Sequence, residues 1–159
     1  MFGEIYKNKK VLITGHTGFK GSWLATWMKI LGANVVGIAL DPPTEPSHFD
    51  AANLGAQIDD RRTDIRDTES LKRIVSEVQP DFVFHLAAQA LVRSSYETPL
   101  DTLSTNALGS ASMLDSIRIL IKPVVVIMIT SDKAYDNVEW VWGYRETDRL
   151  GGKDPYSAS

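Results

Sequence analysis

Three glycines at a spacing of three residues separate the first apolar segment of the chain from the first segment with helical periodicity. They stand in the stretch ITGHTGFKG as Gly15, Gly18 and Gly21. Glycine allows a sharp turn and a close approach of backbone to ligand, and the amino terminus of the following helix attracts an anion such as a pyrophosphate. The spacing is G-x-x-G-x-x-G rather than the commoner G-x-G-x-x-G. A tight turn without a ligand would use the same residues, but the strand–turn–helix context favours dinucleotide binding.

Beyond the glycines, short apolar runs alternate with amphipathic segments, which is typical of the α/β class. Strands are predicted at 11–14, 34–40, 81–88 and 123–131, with a weak third strand before Asp64. Helices are predicted at 19–31, ended by Gly32, from Asp67, which caps the helix, to Pro80, which stops it, and at 99–121. Right-handed crossovers between parallel strands then give a Rossmann-like, doubly wound parallel sheet in one domain over residues 1–159. The last strand, PVVVIMITS, is expected to be fully buried.

Helical periodicity also predicts which side chains face the core. The first helix would bury one broad apolar face, made of Trp23, Leu24, Trp27, Met28 and Leu31. The second would bury Leu71, Ile74, Val75 and Val78. The long helix would turn a third set inward: Leu103, Ala107, Ala111, Leu114 and Ile117.

The composition excludes several classes of protein. A hydrophobic content of 43% in 159 residues supports a single core, and a net charge of −3 gives no basic surface for nucleic acid. The chain has no cysteine, so disulfides and thiolate metal sites are excluded, and its three histidines lack ligand spacing, so no metal site is predicted. There is no secretory signal and no apolar run long enough to span a bilayer, so we expect a cytoplasmic protein without a membrane partner.

An acidic residue ends the second predicted strand, about twenty residues beyond the glycine loop. Asp41 would accept a hydrogen bond from the adenosine ribose 2′-hydroxyl. It would repel a 2′-phosphate, and no arginine follows it closely, so NAD is favoured over NADP. Since Pro42 and Pro43 come next, an ordinary aspartate–proline turn is an equally good interpretation. Asp64 and Ile65, after the weak third strand, would flank the adenine.

The glycine spacing occurs together with HLAAQ at 85–89, Asn106, TSDKAY at 130–135 and DPYSAS at 154–159. In this combination the chain resembles the extended short-chain dehydrogenase/reductases, and within them the nucleotide-sugar 4,6-dehydratases. The loop DPPTEPSHF and the segment 130–159 look most like the branch that acts on the nucleotide sugar CDP-glucose. The resemblance covers all 159 residues but less than half of such an enzyme. We therefore expect an NAD-binding domain incomplete at its carboxyl end, with the substrate domain outside this chain.

The resemblance implies which residues bind the cofactor NAD: Gly15, Thr17, Gly18, Phe19, Gly21, Asp41, Asp64, Ile65, Leu86, Ala87, Ala88, Gln89 and Thr130. It also assigns Gln89 and Asn106 to the substrate. Two plainer interpretations stay open. Gln89 is equally well a solvated loop residue, and an isolated asparagine in a helix usually has no special role.

The family uses a Tyr-x-x-x-Lys pair, and Tyr156 matches its tyrosine. Asp154 and Pro155 predict the start of the helix that carries it. Residues four apart share a helix face, so a lysine ammonium at position 160 would lower the pKa of the phenol. Such a tyrosine takes a proton from the sugar 4-hydroxyl while C4 gives a hydride to NAD. The chain ends one residue before that lysine, so we expect it to be impaired or inactive alone.

The resemblance places the dehydration chemistry directly after the last strand. Ser131 would hydrogen-bond the sugar 4-oxygen, and Asp132 would protonate the departing 6-hydroxyl. Lys133 stands where related dehydratases have a glutamate base, and a lysine serves as a base only if burial or a nearby charge lowers its pKa. A polar loop at a strand end is the alternative, but catalytic groups in open α/β sheets gather at the carboxyl ends of strands.

Three questions stay open from the sequence. The first is which of three functions the protein has: a dehydratase for CDP-glucose, an epimerase or dehydratase for another nucleotide sugar, or a non-catalytic NAD-binding sensor. Asp132 and Lys133 argue against an epimerase. The loop EWVWGYRE at 139–146 either shapes the sugar-nucleotide entrance or packs over the core. Relatives commonly pair through the long helix and the tyrosine helix, so a homodimer is expected for the full-length protein, and whether this chain pairs by itself is the third open question.

Overall fold

The computed structural model describes residues 2–159 and shows a five-stranded parallel sheet with the strand order β3-β2-β1-β4-β5. The strands are β1 (Lys10–Thr14), β2 (Asn34–Ala39), β3 (Asp59–Arg62), β4 (Phe82–His85) and β5 (Val125–Met128). Every neighbouring pair of strands is parallel. The predicted α/β class and Rossmann-like parallel sheet are confirmed.

Six α-helices join these strands in the part of the chain from residue 2 onward. They are α1 (Phe19–Ile30), α2 (His48–Ala51), α3 (Thr68–Val78), α4 (Val92–Glu97), α5 (Pro99–Leu103) and α6 (Gly109–Ile117). A π-helical turn, Ser104–Leu108, connects α5 to α6, and short 3₁₀ turns cover Phe2–Glu4, Leu54–Ala56 and Asp132–Ala134. None of the described helices has the length and apolar character needed to cross a membrane.

The order of the strands reverses between β1 and β4. The chain builds outward from β1 to β3, crosses back, and then builds in the other direction through β4 and β5. A core on one side of the sheet packs α3 and α6 around Leu12, Leu71 and Met113, and a core on the other side packs α1 around Ile13 and Met28. In sheets of this kind, ligands bind at the carboxyl ends of the strands where the order reverses.

Local signals define several helix ends as predicted. Gly32 follows α1 with a φ of +82°, a left-handed conformation that suits glycine. The side chain of Asp67 accepts a hydrogen bond from the Ser70 amide and caps α3. The four side chains predicted to face inward from α3 are all buried. These short-range features depend on residues close together in sequence, so the pattern suffices to find them.

The predicted apolar face of α1 is wrong for its two tryptophans. Trp23 and Trp27 are 53% and 45% exposed, while the buried positions on this helix are Gly21, Ser22, Ala25 and Met28. A Cβ atom on Gly21 would overlap the carbonyl oxygen of Gly15, so small residues let the helix approach the glycine loop. The large rings lie at the sides, where Trp23 stacks on His48 with 4.0 Å between ring centroids.

The inward face predicted for the long helix is wrong for four of its five residues, and of the five only Ile117 packs against the core. The buried positions are Thr102, Gly109, Met113 and Ser116, whereas Leu103, Ala107, Ala111 and Leu114 are exposed. The π-helical turn adds one residue to the helix, so the side chains that follow it are rotated by about 100° around the helix axis. Close packing matters as well, because a Cβ atom on Gly109 would lie 2.6 Å from Cδ1 of Ile65. The helix ends at Ile117 rather than at residue 121.

The last two strands are shorter than predicted, and β5 is not fully buried. Strand β4 ends at His85, where the Leu86 amide is shared between the carbonyl and the side-chain oxygen of Thr14 and the Ala87 amide donates to that side-chain oxygen. Strand β5 is the outer strand of the described sheet and pairs with β4 alone. Val125 is consequently 51% exposed.

We expect Met113→Ala to lower the free energy of unfolding by about 2–5 kcal/mol, because it removes a fully buried side chain from the core. Leu114→Ala is the matched control on the exposed side of the same helix, and it should cost less than about 1 kcal/mol. Urea unfolding followed by circular dichroism measures both values. A larger loss for Leu114→Ala would support the inward face predicted from periodicity.

Candidate cofactor and sugar site

The glycine loop lies between the carboxyl end of β1 and the amino terminus of α1. Gly15 has a φ of +74°, and its amide donates to the carbonyl oxygen of Ile38 on β2 at 2.8 Å. A Cβ atom on Gly15 would lie 2.8 Å from the backbone nitrogen of Ala87, so only glycine fits where the loop meets the segment after β4. Gly18 is the residue before α1 and supplies no side-chain cap. The first amides of the helix therefore suit an anionic ligand.

A buried polar cluster joins β1 to the segment after β4. Thr14 Oγ1 accepts hydrogen bonds from the amides of Leu86 and Ala87, both at 3.1 Å. A hydroxyl has one proton, so that proton goes to His85 Nδ1 at 2.8 Å. His85 Nε2 then carries the ring hydrogen and donates to Ser110 Oγ at 3.1 Å. The geometry assigns His85 as a neutral imidazole, and burial lowers its pKa to about 4.

Sequence reasoning missed Thr14 and His85, although both belong to the frame of the site. The available signal was a pair of polar residues that end otherwise apolar strands, at 11–14 and 82–85. Their hydrogen bonds hold Leu86 and Ala87 beside Gly15. Two residues predicted to line the cofactor are therefore placed next to the glycine loop.

The amide side chains of Gln89 and Asn106 hold the loop that follows β4. Asn106 Oδ1 accepts from the Gln89 amide at 2.8 Å, and Asn106 Nδ2 donates to the Gln89 carbonyl at 3.0 Å and to Ser159 Oγ at 2.8 Å. Gln89 Nε2 donates to the Leu91 carbonyl and to Thr102 Oγ1. All four side-chain N–H groups thus have partners within the chain. Their predicted contact with substrate stays a prediction.

The residues predicted to bind the adenosine half of the cofactor lie around the carboxyl ends of β2 and β3. Thr17 Oγ1 donates to the Leu40 carbonyl at 3.0 Å and ties the glycine loop to β2. The Asp41 carboxylate is 93% exposed, and Arg62 Nη1 lies 3.5 Å from it. No arginine follows Asp41 closely in sequence, but β3 pairs with β2 so that Arg62 stands beside Ala39. The parallel register thus supplies the nearby cation that the sequence did not reveal.

Asp64 and Ile65 follow β3 but differ in which of their atoms remain for a ligand. Asp64 accepts hydrogen bonds from Arg66, and this side-chain contact lowers the pKa of the Asp64 carboxyl. The Ile65 side chain is buried in the core, so the backbone is the part of this residue that remains for a ligand. Phe19, in the first turn of α1, is exposed. Ala88 and Thr130 are also exposed, beyond the ends of β4 and β5.

The residues predicted for catalysis lie on two turns that the structure brings close together. Ser131 Oγ accepts from the Lys133 amide at 3.2 Å and caps the 3₁₀ turn Asp132–Ala134, which leaves the side chains of Asp132 and Lys133 exposed. The amide of Gly151 donates to the Ala134 carbonyl at 2.9 Å. This pairing links the turn after β5 to the segment that leads into DPYSAS.

The predicted Asp154 cap is present before Tyr156, but residues 155–158 form a turn and not the predicted helix. The Asp154 carboxylate accepts from the Ser157 amide at 2.9 Å and from Ser157 Oγ at 2.7 Å. These hydrogen bonds lower the pKa of Asp154, and the charge of Lys133 adds a smaller effect of the same sign. Ser159 Oγ donates to the Tyr156 carbonyl at 2.7 Å and receives the hydrogen bond from Asn106. The tyrosine turn is thereby joined to the π-helical turn.

The aromatic loop at 139–146 does not pack over the core, so that interpretation is wrong. Trp140 and Trp142 are exposed, and Tyr144 stacks on Tyr135 with 5.1 Å between ring centroids. The hydroxyl of Tyr144 donates to Asn137 Oδ1 and accepts from the Val138 amide. Its predicted place at the sugar-nucleotide entrance stays a prediction.

Comparison with known proteins identifies the family. The family model for GDP-mannose 4,6 dehydratase matches residues 12–159. The chain belongs to the GDP-mannose 4,6-dehydratase family. Within this family it is 51% identical to a CDP-glucose 4,6-dehydratase of Salmonella typhimurium over 98% of the chain and 44% of that relative. A GDP-mannose 4,6-dehydratase of Vibrio cholerae is 36% identical over 70% of the chain and 32% of its own length. The chain thus spans less than half the length of these family relatives.

Solved structures share the fold of this family member. The UDP-glucose 4-epimerase of Thermus thermophilus, solved as a complex with NAD, gives a TM-score of 0.79 at 30% identity and covers 94% of this chain and 46% of its own. The UDP-glucose 4-epimerase of Brucella ovis, also solved with NAD, gives a TM-score of 0.79 at 27% identity. The match covers 94% of this chain and 44% of the epimerase. The fold of this chain is therefore shared with NAD-bound UDP-glucose 4-epimerases.

Burial of two histidines makes the folded state sensitive to acid. Burial lowers the pKa of His85 to about 4, and it lowers the pKa of His16 despite an opposing hydrogen bond to Asp60. In the unfolded chain each imidazole binds a proton near its ordinary value of about 6.5. The unfolded state therefore binds more protons, and stability falls as the pH is lowered from about 6.5 to about 4.

We expect His85→Gln to remove part of this acid sensitivity. Between about pH 7 and pH 4, the wild type should lose up to about 3 kcal/mol more stability than the variant, because the variant has no imidazole to protonate there. Urea unfolding across this pH range measures the difference. His48→Gln, which replaces a half-buried histidine outside the cluster, is the control. This variant should show the same loss of stability at low pH from His85 as the wild type. Parallel curves for wild type and His85→Gln would contradict the assignment.

Proposed function

We propose that this chain is the cofactor-binding part of a CDP-glucose 4,6-dehydratase that uses NAD. The observation that carries the proposal is the 51% identity to the Salmonella typhimurium CDP-glucose 4,6-dehydratase across 98% of the chain. The site supports it, since the glycine loop and the two turns with the predicted catalytic residues lie at the carboxyl ends of the strands. The product would be a CDP-4-keto-6-deoxy sugar, formed with loss of one water.

The proposed cofactor contacts begin at the glycine loop. A pyrophosphate would lie at the amino terminus of α1, over Gly15 and Gly18, with the segment Leu86–Ala87 held beside it by Thr14. The adenosine ribose would reach Asp41 at the end of β2. Bound there, NAD would supply a hydride acceptor for sugar C4 and a hydride donor for C6, so the reaction would involve no net oxidation.

The chain's own residues would move the protons. Tyr156 takes the proton of the sugar 4-hydroxyl, and Ser131 hydrogen-bonds the same oxygen. Lys133 removes the C5 proton, which is acidic once C4 is a ketone. Asp132 gives its proton to the 6-hydroxyl, which leaves as water. The 3₁₀ turn leaves Asp132 and Lys133 open to a substrate, while Ser131 caps it from the strand side. The bound sugar would have to bury Lys133 before this lysine acts as the base.

An epimerase is the second candidate, because the NAD-bound structural neighbours are UDP-glucose 4-epimerases. An epimerase removes and returns the hydride at one carbon, so it needs no acid and base for loss of water. Asp132 and Lys133 therefore favour the dehydratase. The two reactions also differ in product mass, because an epimerase gives an isomer of its substrate.

The exposed side of α5 and α6 supports a homodimer of the full-length protein. Leu100 on α5, Leu108 on the π-helical turn and Leu114 on α6 are 80%, 65% and 46% exposed. Large apolar side chains left exposed in this way are typical of a protein–protein interface. We infer that a second copy covers these side chains, and sedimentation velocity that shows a monomer at every concentration would contradict this.

We expect Asp132→Asn to separate the oxidation from the loss of water. In an active chain extended past Ser159, the wild type should convert CDP-glucose to a product one water lighter, with no accumulation of NADH. Asp132→Asn should still oxidise C4 but lose water about 10²–10⁴-fold more slowly, because the acid for the leaving hydroxyl is gone. Mass spectrometry and NADH absorbance follow the two steps.

Two further variants make this test specific. Tyr156→Phe should suppress both NADH formation and water loss, whereas Tyr6→Phe removes the same hydroxyl from an aromatic cluster against Phe82 and should leave both unchanged. A wild-type enzyme that isomerises CDP-glucose without a change in mass would support the epimerase. Loss of water from another nucleotide sugar alone would contradict the proposed substrate.

A further inference from the structure

Gly109 brings helix α6 into direct contact with a residue predicted to flank the adenine. The backbone of Gly109 has ordinary helical angles, with φ −61° and ψ −41°, so its conformation does not require glycine. A glycine inside a helix is destabilising relative to alanine, and packing is a usual reason for one. Here the packing partner is Ile65, because a Cβ atom on Gly109 would lie 2.6 Å from its Cδ1 and 2.8 Å from its Cγ1. Both residues are buried.

The segment that contains Ile65 contacts α5 and α6 at two further points. Arg66 Nη1 donates to Asp101 Oδ1 on α5 at 2.6 Å. Thr68 Oγ1, at the start of α3, shares a hydrogen bond of 2.9 Å with Ser112 Oγ on α6. Strand β3 has already ended before this segment begins. The two helices therefore hold the segment in place beyond the end of the sheet.

The same end of α6 also reaches the polar cluster beside the glycine loop. His85 Nε2 donates at 3.1 Å to Ser110 Oγ, which follows Gly109 in the chain. Through its hydrogen bond with Thr14, this imidazole belongs to the cluster that holds the segment after β4 beside Gly15. Neighbouring residues of α6 thus support both the predicted adenine end of the site and the end that would take the pyrophosphate.

The backbone of Ile65 offers a donor at the place where adenine is predicted. Its amide donates to no group in the part of the chain that the structure describes, residues 2–159. A backbone N–H without a partner in the chain suits an acceptor on a ligand, and N1 of adenine is such an acceptor. In hypoxanthine the same nitrogen carries a hydrogen, so it would face the amide donor to donor.

We propose that Gly109 is a positioning residue for the adenine half of the cofactor. Its lack of a side chain lets α6 support the Ile65 side chain from behind, and this support sets where the Ile65 amide meets the purine. The inference rests on the proposed binding of NAD. It makes the fit between Gly109 and Ile65 a determinant of how well the site distinguishes adenine from hypoxanthine.

Titration calorimetry with NAD and with nicotinamide hypoxanthine dinucleotide tests the inference, because the two ligands differ only at the purine. The wild type should bind NAD at least about tenfold more tightly. Gly109→Ala overfills the contact and Ile65→Ala empties it, so in each variant the preference should fall below about threefold. The double variant Gly109→Ala/Ile65→Ala removes both atoms that the new Cβ would overlap, so it should regain most of the preference. A general loss of stability would weaken both ligands alike and leave their ratio unchanged.

Ala111→Ser is the matched control, because it adds one heavy atom to α6 at an exposed position, and it should keep the wild-type preference. Urea unfolding without ligand shows which variants are folded. If Gly109→Ala does not fold, Ile65→Ala tests the same contact from its other side.

Three results overturn this inference while the proposed function stands. They are an unchanged preference in a folded single variant, a double variant no better than its single variants, and a wild type that binds both dinucleotides equally well. A folded wild type that binds neither dinucleotide overturns the proposed function and this inference with it.

Discussion

The hydroxyl of Thr14 is the contact on which the geometry of the site depends. It lies where the strand order reverses, between β1 and β4, and it is fully buried. It accepts two backbone hydrogen bonds from the segment after β4 and gives its proton to His85. Buried backbone amides need partners, and Thr14 supplies one for Leu86 and Ala87 just where β4 leaves the sheet. The segment is consequently held so close to Gly15 that no other residue fits there.

A second set of polar contacts extends this frame toward the predicted catalytic residues. Asn106 binds both backbone groups of Gln89 and reaches Ser159, which is hydrogen-bonded to the Tyr156 carbonyl. The π-helical turn that carries Asn106 is thus joined to the loop after β4 and to the tyrosine turn. Because π-helical turns recur at functional sites, its position agrees with the proposed catalytic role of this end of the sheet. Movement of either turn would disturb the other through this asparagine.

The sequence was sufficient where a feature depends on neighbouring residues and insufficient where it depends on strand register or close packing. The glycine loop, the helix end at Gly32 and the cap at Asp67 follow from local chemistry, and all three are found as predicted. The inward faces of α1 and of the long helix were wrong for residues such as Trp23 and Leu114. Periodicity ranks large apolar side chains first, whereas α1 and α6 each bury one methionine and otherwise only glycine, serine or alanine. The nearness of Arg62 to Asp41 depends on the register between β2 and β3, which no local pattern contains.

Binding of NAD at the glycine loop is the central claim, and amide chemical shifts report it residue by residue. NAD is added to ¹⁵N-labelled protein while ¹H–¹⁵N correlation spectra are recorded. We predict the largest shifts at Gly15, Gly18, Leu86 and Ala87, with smaller shifts in β3 near Arg62. The exposed outer side of α6 should not respond. Shifts confined to other surfaces, or no shifts at saturating NAD in a folded protein, would contradict the account.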